Sequence, residues 1–352
     1  MLRKRFALAF FFLLSLSACS AFQRSTPRPP IPIPPAIKVI YPTSTPEPAA
    51  SQTPTIYFSP QTTCTTCARK PTTTLTLTPS YSIGFVKVEK LDVWDDPANE
   101  NSYWHRQTQL ITGETVLILD QKGDWDQVIA NQQPSSKDER GYPGWARSSG
   151  LAAGPISSTS STLVVTARTS FALTSPQTGA ESLMRLFFDT RLPVLSQTES
   201  WVEAALPDGR SGWLPVKDIR ILKSGLNGLP FERNALLATA RTLAGAPYLW
   251  GGATSDSPDC SGFVYRLFHV YGQTLARDAN DQVLQGQNVT FDQKQPGDLI
   301  YYSDVSGGPV THVGLFMSQA QIMDANPFLG LSIHPVSDMQ KWYVFFGVRR
   351  IQ

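Results

Sequence analysis

One stretch constrains this chain more than any other: Pro247-Tyr248-Leu249-Trp250-Gly251-Gly252, a short polar loop, then Asp259-Cys260-Ser261-Gly262. In the segment that follows, Phe263-Val264-Tyr265-Arg266-Leu267-Phe268, apolar residues recur four apart, which is helical spacing. Gly272 reads as the helix stop. Cys260 is therefore expected at or just before a helix N-terminus, behind a glycine-rich loop that lets backbone approach closely. The thiolate is the nucleophilic form of cysteine, and the positive end of a helix favours an anion by roughly 0.3–1 kcal/mol. A small buried hydrophobe at a helix start fits the same residue equally well. The rest of the C-terminal region decides between these readings.

A cysteine nucleophile needs a base, and the chain has only four histidines. His105 lies far upstream. His269 lies nine residues along the same helix as Cys260, about 13 Å away at 1.5 Å per residue. That leaves His312 and His334. His312 sits early in an alternating strand pattern, after the flexible Ser306-Gly307-Gly308. Asp324 follows twelve residues later, and a strand, a tight turn and a return strand would set it beside His312. A carboxylate there fixes the imidazole tautomer and stabilises the imidazolium.

The chain has 352 residues and a net charge of +2, so bulk charge implies no nucleic-acid partner. Arg3-Lys4-Arg5, the short apolar run Phe6–Leu14 and Leu16-Ser17-Ala18-Cys19 read as a signal peptide over residues 1–19. Its end resembles a bacterial lipoprotein signal, which implies lipidation of Cys19, a membrane anchor and an extracytoplasmic location in the cell envelope. An ordinary secretory signal is the other reading, and both export the protein. Residues 20–80 are rich in Pro, Thr and Ser and read as a disordered tether. Cys64 and Cys67, inside it, lack the strand–helix surroundings of a redox motif and the further ligands of a zinc site, so a local disulfide is expected.

Two β-rich segments follow, 81–154 and 158–224. In the first, Gly123-Asp124-Trp125-Asp126-Gln127-Val128 leads to Gly144-Trp145-Ala146; in the second, Glu199-Ser200-Trp201-Val202-Glu203-Ala204 leads to Gly212-Trp213-Leu214. Each unit of about seventy residues carries one Trp strand and one Gly-Trp strand, and both resemble bacterial SH3-like domains. Residues 228–352 begin with a helix expected over Asn234–Ala244, capped by Asn234. Then come the Cys260 helix and strands near 298–302, 311–317, 321–324, 331–334 and 344–349. The fold class is multidomain: two small all-β barrels followed by an α+β domain.

Residues 228–352 also resemble the NlpC-type family of papain-like cysteine peptidases that cut bacterial cell-wall peptides. The matching residues are Pro247-Tyr248, Trp250-Gly251-Gly252, Asp259-Cys260-Ser261-Gly262, Arg277, Gln282, Pro296-Gly297-Asp298-Leu299 and His312-Val313-Gly314. With the lipoprotein signal and two SH3-like units, the chain looks like the γ-D-glutamyl–diamino-acid endopeptidases. The resemblance implies Cys260 as nucleophile, His312 as general base and acid, and Tyr248 beside the oxyanion. Asp324 stands where the family most often has a histidine. It further implies that Asp259 and Ser261 contact the free α-amine and D-glutamate of a stem peptide beginning at L-Ala. Tyr142, and Glu114 as an acidic partner, would reach the site from the first barrel. No metal or organic cofactor is implied. An acyltransferase or amidase on the same fold and a non-catalytic wall-binding lipoprotein are the alternatives.

Overall fold

A computed structural model describes residues 81–154, 159–222, 224–318 and 320–352. The expectations for the leader with Cys19 and for the tether with Cys64 and Cys67 lie outside the described residues.

Alternating apolar and polar residues, broken by Gly, Asn and Asp, give short strands with one buried face. The first unit contains β1 (Ser82–Val86), β2 (Lys90–Trp94), β3 (Arg106–Ile111), β4 (Thr115–Lys122), β5 (Trp125–Ala130), β6 (Tyr142–Arg147) and β7 (Leu151–Ala153), in the order β3-β2-β6-β5-β4-β1-β7. The second contains β8 (Thr162–Val165), β9 (Thr169–Leu173), β10 (Ser182–Phe187), β11 (Arg191–Gln197), β12 (Trp201–Ala205), β13 (Ser211–Pro215) and β14 (Ile219–Leu222), in the order β10-β9-β13-β12-β11-β8-β14. The second order is the first advanced by seven strands. Trp125 and Trp201 open the equivalent strands β5 and β12, and Trp145 and Trp213 lie in β6 and β13. The tryptophan repeat therefore marks a repeated topology. Each unit has its own small core, Val86, Leu91, Val93, Leu110 and Val128 in one and Leu163, Leu186, Leu192, Val202 and Leu214 in the other. Burying one such side chain contributes about 1.5–3 kcal/mol.

The third region contains α1 (Arg233–Thr242), α2 (Cys260–Val270), α3 (Ala279–Gln282), β15 (Gln287–Val289), β16 (Leu299–Ser303), β17 (His312–Ser318), β18 (Gln321–Asn326), β19 (Gly330–Pro335), α4 (Val336–Met339) and β20 (Val344–Arg350). Its antiparallel sheet runs β15-β20-β16-β17-β18-β19. Phe263, Val264, Leu267 and Phe268 of α2 bury against Leu299, Tyr301, Val313, Leu315 and Met323 of that sheet. The expected class, two all-β units followed by an α+β domain, is the observed one. Asn234 is not the cap of α1: Glu232 holds that position without a side-chain bond, and the helix begins at Arg233.

The junction between the units is polar and buried. Arg266, on α2, donates to both oxygens of Glu114 at 2.6 and 2.9 Å, to the Ala253 carbonyl at 2.8 Å and to Asp189 at 3.4 Å. Asp189 also accepts from His269 Nδ1 at 2.7 Å. The helix that begins at Cys260 is thus tied to both barrels.

Candidate active site

Cys260 is the first residue of α2, and Asp259 is its N-cap, accepting from the Gly262 N–H at 2.6 Å. Local sequence explains the fit. A Cβ on Gly262 would come 2.2 Å from the Gly252 carbonyl, and one on Gly252 would come 2.0 Å from that of Ser257. Only glycines let the helix start and the preceding loop touch in this way.

His312 opens β17, and β18 returns antiparallel to it. His312 Nε2 donates to Asp324 Oδ2 at 2.5 Å. That leaves Nδ1 as the ring nitrogen available to the thiol. Gly314 makes room for this pair: a Cβ there would lie 3.2 Å from that of Asp324 and 2.5 Å from Ile322 Cδ1. Burial alone would lower the His312 pKa. The charge and hydrogen bond of Cys260 and the bond to Asp324 override it, and the pKa is raised to about 10. Burial would raise the Asp324 pKa, but hydrogen bonds from His312 and His334 pull it below the ordinary value. The arrangement favours an imidazolium at His312, facing Cys260, with an ionised carboxylate holding the ring.

Two family models match the chain: the NlpC/P60 family over residues 245–350, and the YKFC SH3b2 domain over residues 165–221. A gamma-D-glutamyl-L-lysine dipeptidyl-peptidase of Bacillus subtilis is 32% identical over 233 residues, which cover 64% of this chain and 74% of that protein. A protein of the same name from Bacillus cereus is 31% identical over 222 residues, 62% of this chain and 66% of its own length. The crystal structure of an NlpC/P60 family protein from Bacillus cereus aligns with a TM-score of 0.69 at 25% identity, covering 76% of this chain and 99% of that one. The chain belongs to the NlpC/P60 family.

In this NlpC/P60 peptidase, Cys260 and His312 line a cleft of about 500 Å³. Tyr248 lines it; burial first, then the charge of Cys260, push its hydroxyl pKa far up, so it remains a proton-bearing donor. Asp259 and Ser261 also line the cleft, but Asp259 is heavily engaged. Arg277 donates to its two oxygens at 3.1 and 2.7 Å and to Ser261 Oγ at 3.0 Å, and Ser261 Oγ donates to Asp259 Oδ1 at 3.2 Å. Gln282 donates to the Ser261 carbonyl at 3.0 Å.

Tyr142 reaches the cleft from β6. Its hydroxyl donates to Asp278 at 2.9 Å and accepts from Lys137. Glu114 is a correction. It is not at the cleft: its carboxylate is buried against Arg266 and also accepts from the Ile111 N–H. Glu114, three residues after Ile111, turns inward because a buried guanidinium meets it there.

Three residues at the site, Lys137, Trp104 and Tyr343, carried no decisive sequence signal. Lys137 donates to Gln107 at 3.0 Å and sits 3.3 Å from Asp278. Trp104 and Trp250 meet edge-to-face at 5.1 Å on the rim. Tyr343 stacks on His312, ring centroids 4.4 Å apart and planes within 9°. His105 and His269 lie away from the thiol, paired with Asp95 and Asp189.

Proposed function

We propose that this peptidase hydrolyses the γ-D-glutamyl–diamino-acid bond of cell-wall stem peptides, with Cys260, His312 and Asp324 as the reacting and orienting groups. The observation that carries this reading is the His312 ring, bonded to Asp324 and stacked on Tyr343 in the lining of the cleft, beside a cysteine that starts a helix. The relatives named gamma-D-glutamyl-L-lysine dipeptidyl-peptidase support the bond class.

The Cys260 thiolate attacks the γ-carbonyl carbon. The resulting oxyanion meets the Cys260 backbone N–H, unpaired within the helix because it lies in the first turn, and the Tyr248 hydroxyl. The imidazolium of His312 gives its proton to the departing amine, and the C–N bond breaks, leaving a thioester. His312 then takes a proton from water, which attacks the thioester, and the thiolate leaves.

Asp278, the Tyr142 hydroxyl and Gln107 form a ring of acceptors that suits an ammonium, and Lys137 fills it here. The free α-amine of an N-terminal L-Ala has the same chemistry and would take that position, with Asp259 behind it. Export, and anchoring in the cell envelope through lipidated Cys19, belong to this reading.

The test is mass spectrometry of products from a defined stem peptide. Residues 81–352 should release L-Ala-γ-D-Glu, and Cys260→Ala should release none. Transfer of the acyl group to an added amine in place of water would recast the chain as a transferase. A Cys19→Ala chain found in the membrane fraction as abundantly as wild type would remove the anchor.

A further inference from the structure

Asp324 does not serve one histidine alone. Its second oxygen, Oδ1, accepts from His334 Nε2 at 2.6 Å. An ionised carboxylate only accepts, so Nε2 of both His312 and His334 carries hydrogen. Asn326 Nδ2 adds contacts at 3.2 and 3.3 Å. Asp324 is fully buried, and His334 is 7% exposed. The arrangement follows from register: β19 pairs with β18 so that His334 faces Ile322, and Asp324 lies two residues on along the same face. A long side chain reaches such a diagonal neighbour. The groups facing His334 are Asp324 from β18, the Pro335 carbonyl on its own strand at 3.2 Å, Asp338 from α4 and the Trp342 ring. His334 does not line the cleft.

We propose that His334 is a positioning residue for the reaction, holding Asp324 in place and drawing off part of its charge so that His312 is oriented without being gripped too tightly as a cation. The chemistry needs this balance. A full carboxylate on His312 stabilises the imidazolium more than a neutral partner does. An imidazolium held too well is a poor acid toward the leaving amine. A second N–H on the same carboxylate lowers its basicity, and a charged His334 lowers it further. An aspartate and a second imidazole thus act together to orient His312.

The proposal rests on the peptidase reading above, and its tests separate the two. Kinetics on His334→Phe and His334→Gln, from pH 5 to 11, form one arm. The Phe variant removes the donor: kcat should fall about tenfold with KM nearly unchanged, and the alkaline limb should move to higher pH. The Gln variant restores an N–H donor, and most of kcat and the wild-type limb should return. Profiles that superimpose on wild type, or an equal kcat loss in both variants with the limb unmoved, overturn the proposal. Histidine NMR titration of the unmodified chain is the second arm and needs neither turnover nor a variant that folds. The His312 resonance should show an inflection at the pH where His334 titrates, and a single-step His312 curve overturns the coupling. A wild-type chain that cleaves nothing fails the peptidase reading instead.

Discussion

Arg266 holds Glu114 by both carboxylate oxygens, at 2.6 and 2.9 Å, in the closed junction between the helix that begins at Cys260 and the first barrel. A buried ion pair adds little over a well-packed apolar pair, but breaking one by removing a single partner leaves an uncompensated charge. Glu114→Ala should therefore lower stability by about 3–5 kcal/mol. Urea unfolding measures it. A Glu114→Ala chain as stable as wild type, but with a much higher KM, would return Glu114 to the substrate.

Asp324→Asn tests the carboxylate at nearly constant shape. Its amide offers one oxygen and one NH2 to two histidines that both present an N–H, so one ring must change tautomer or lose its partner. The expected loss in kcat is about 10²–10⁴-fold with binding little changed. Stopped-time dipeptide release reads it directly.

The raised pKa of His312 sets the alkaline behaviour. A group whose folded pKa lies above its unfolded value contributes stability that is present below the unfolded value and lost as pH climbs through the folded one. For His312 that window runs from the ordinary 6.5 to about 10. The imidazolium needed for amine departure should persist through neutral pH, and kcat/KM should fall with an inflection near pH 10. A limb near 7 would mean that Cys260 and Asp324 do not hold the proton on His312.

Lys137 and the substrate amine compete for the same acceptors in the proposed mode. Lys137→Ala should lower KM for a free-amine stem peptide by about 3–10-fold, a modest change because the side chain is 41% exposed. The N-acetylated peptide should gain nothing. If instead Lys137→Ala weakens both peptides alike, Lys137 grips a carboxylate of the substrate.

The centre of the candidate site was legible in the sequence because it is written in local patterns. Helical spacing after Gly262 fixed where Cys260 sits, and the twelve-residue gap from His312 to Asp324 matches a hairpin. The Trp repeats revealed the doubled topology. Glu114 was misread because its partner is 152 positions away, and no local pattern announces a buried guanidinium. Lys137, in a polar loop after Pro134, looks like any solvated lysine until the first barrel docks. His334 was visible as one of two remaining histidines, but its reach to Asp324 depends on the β18–β19 register, which a single strand pattern does not specify. Tyr343 meets His312 from the short segment between α4 and β20, a meeting that no local pattern announces.

The matching strand orders of the two barrels carry a last consequence. The first copy lends Trp104, Lys137 and Tyr142 to the lining of the cleft, while the second lends Asp189 to Arg266 and His269 of α2. Two units with one strand order are therefore non-interchangeable parts, one a jaw and the other a footing. A chimera with their order exchanged should leave the sulfur without either.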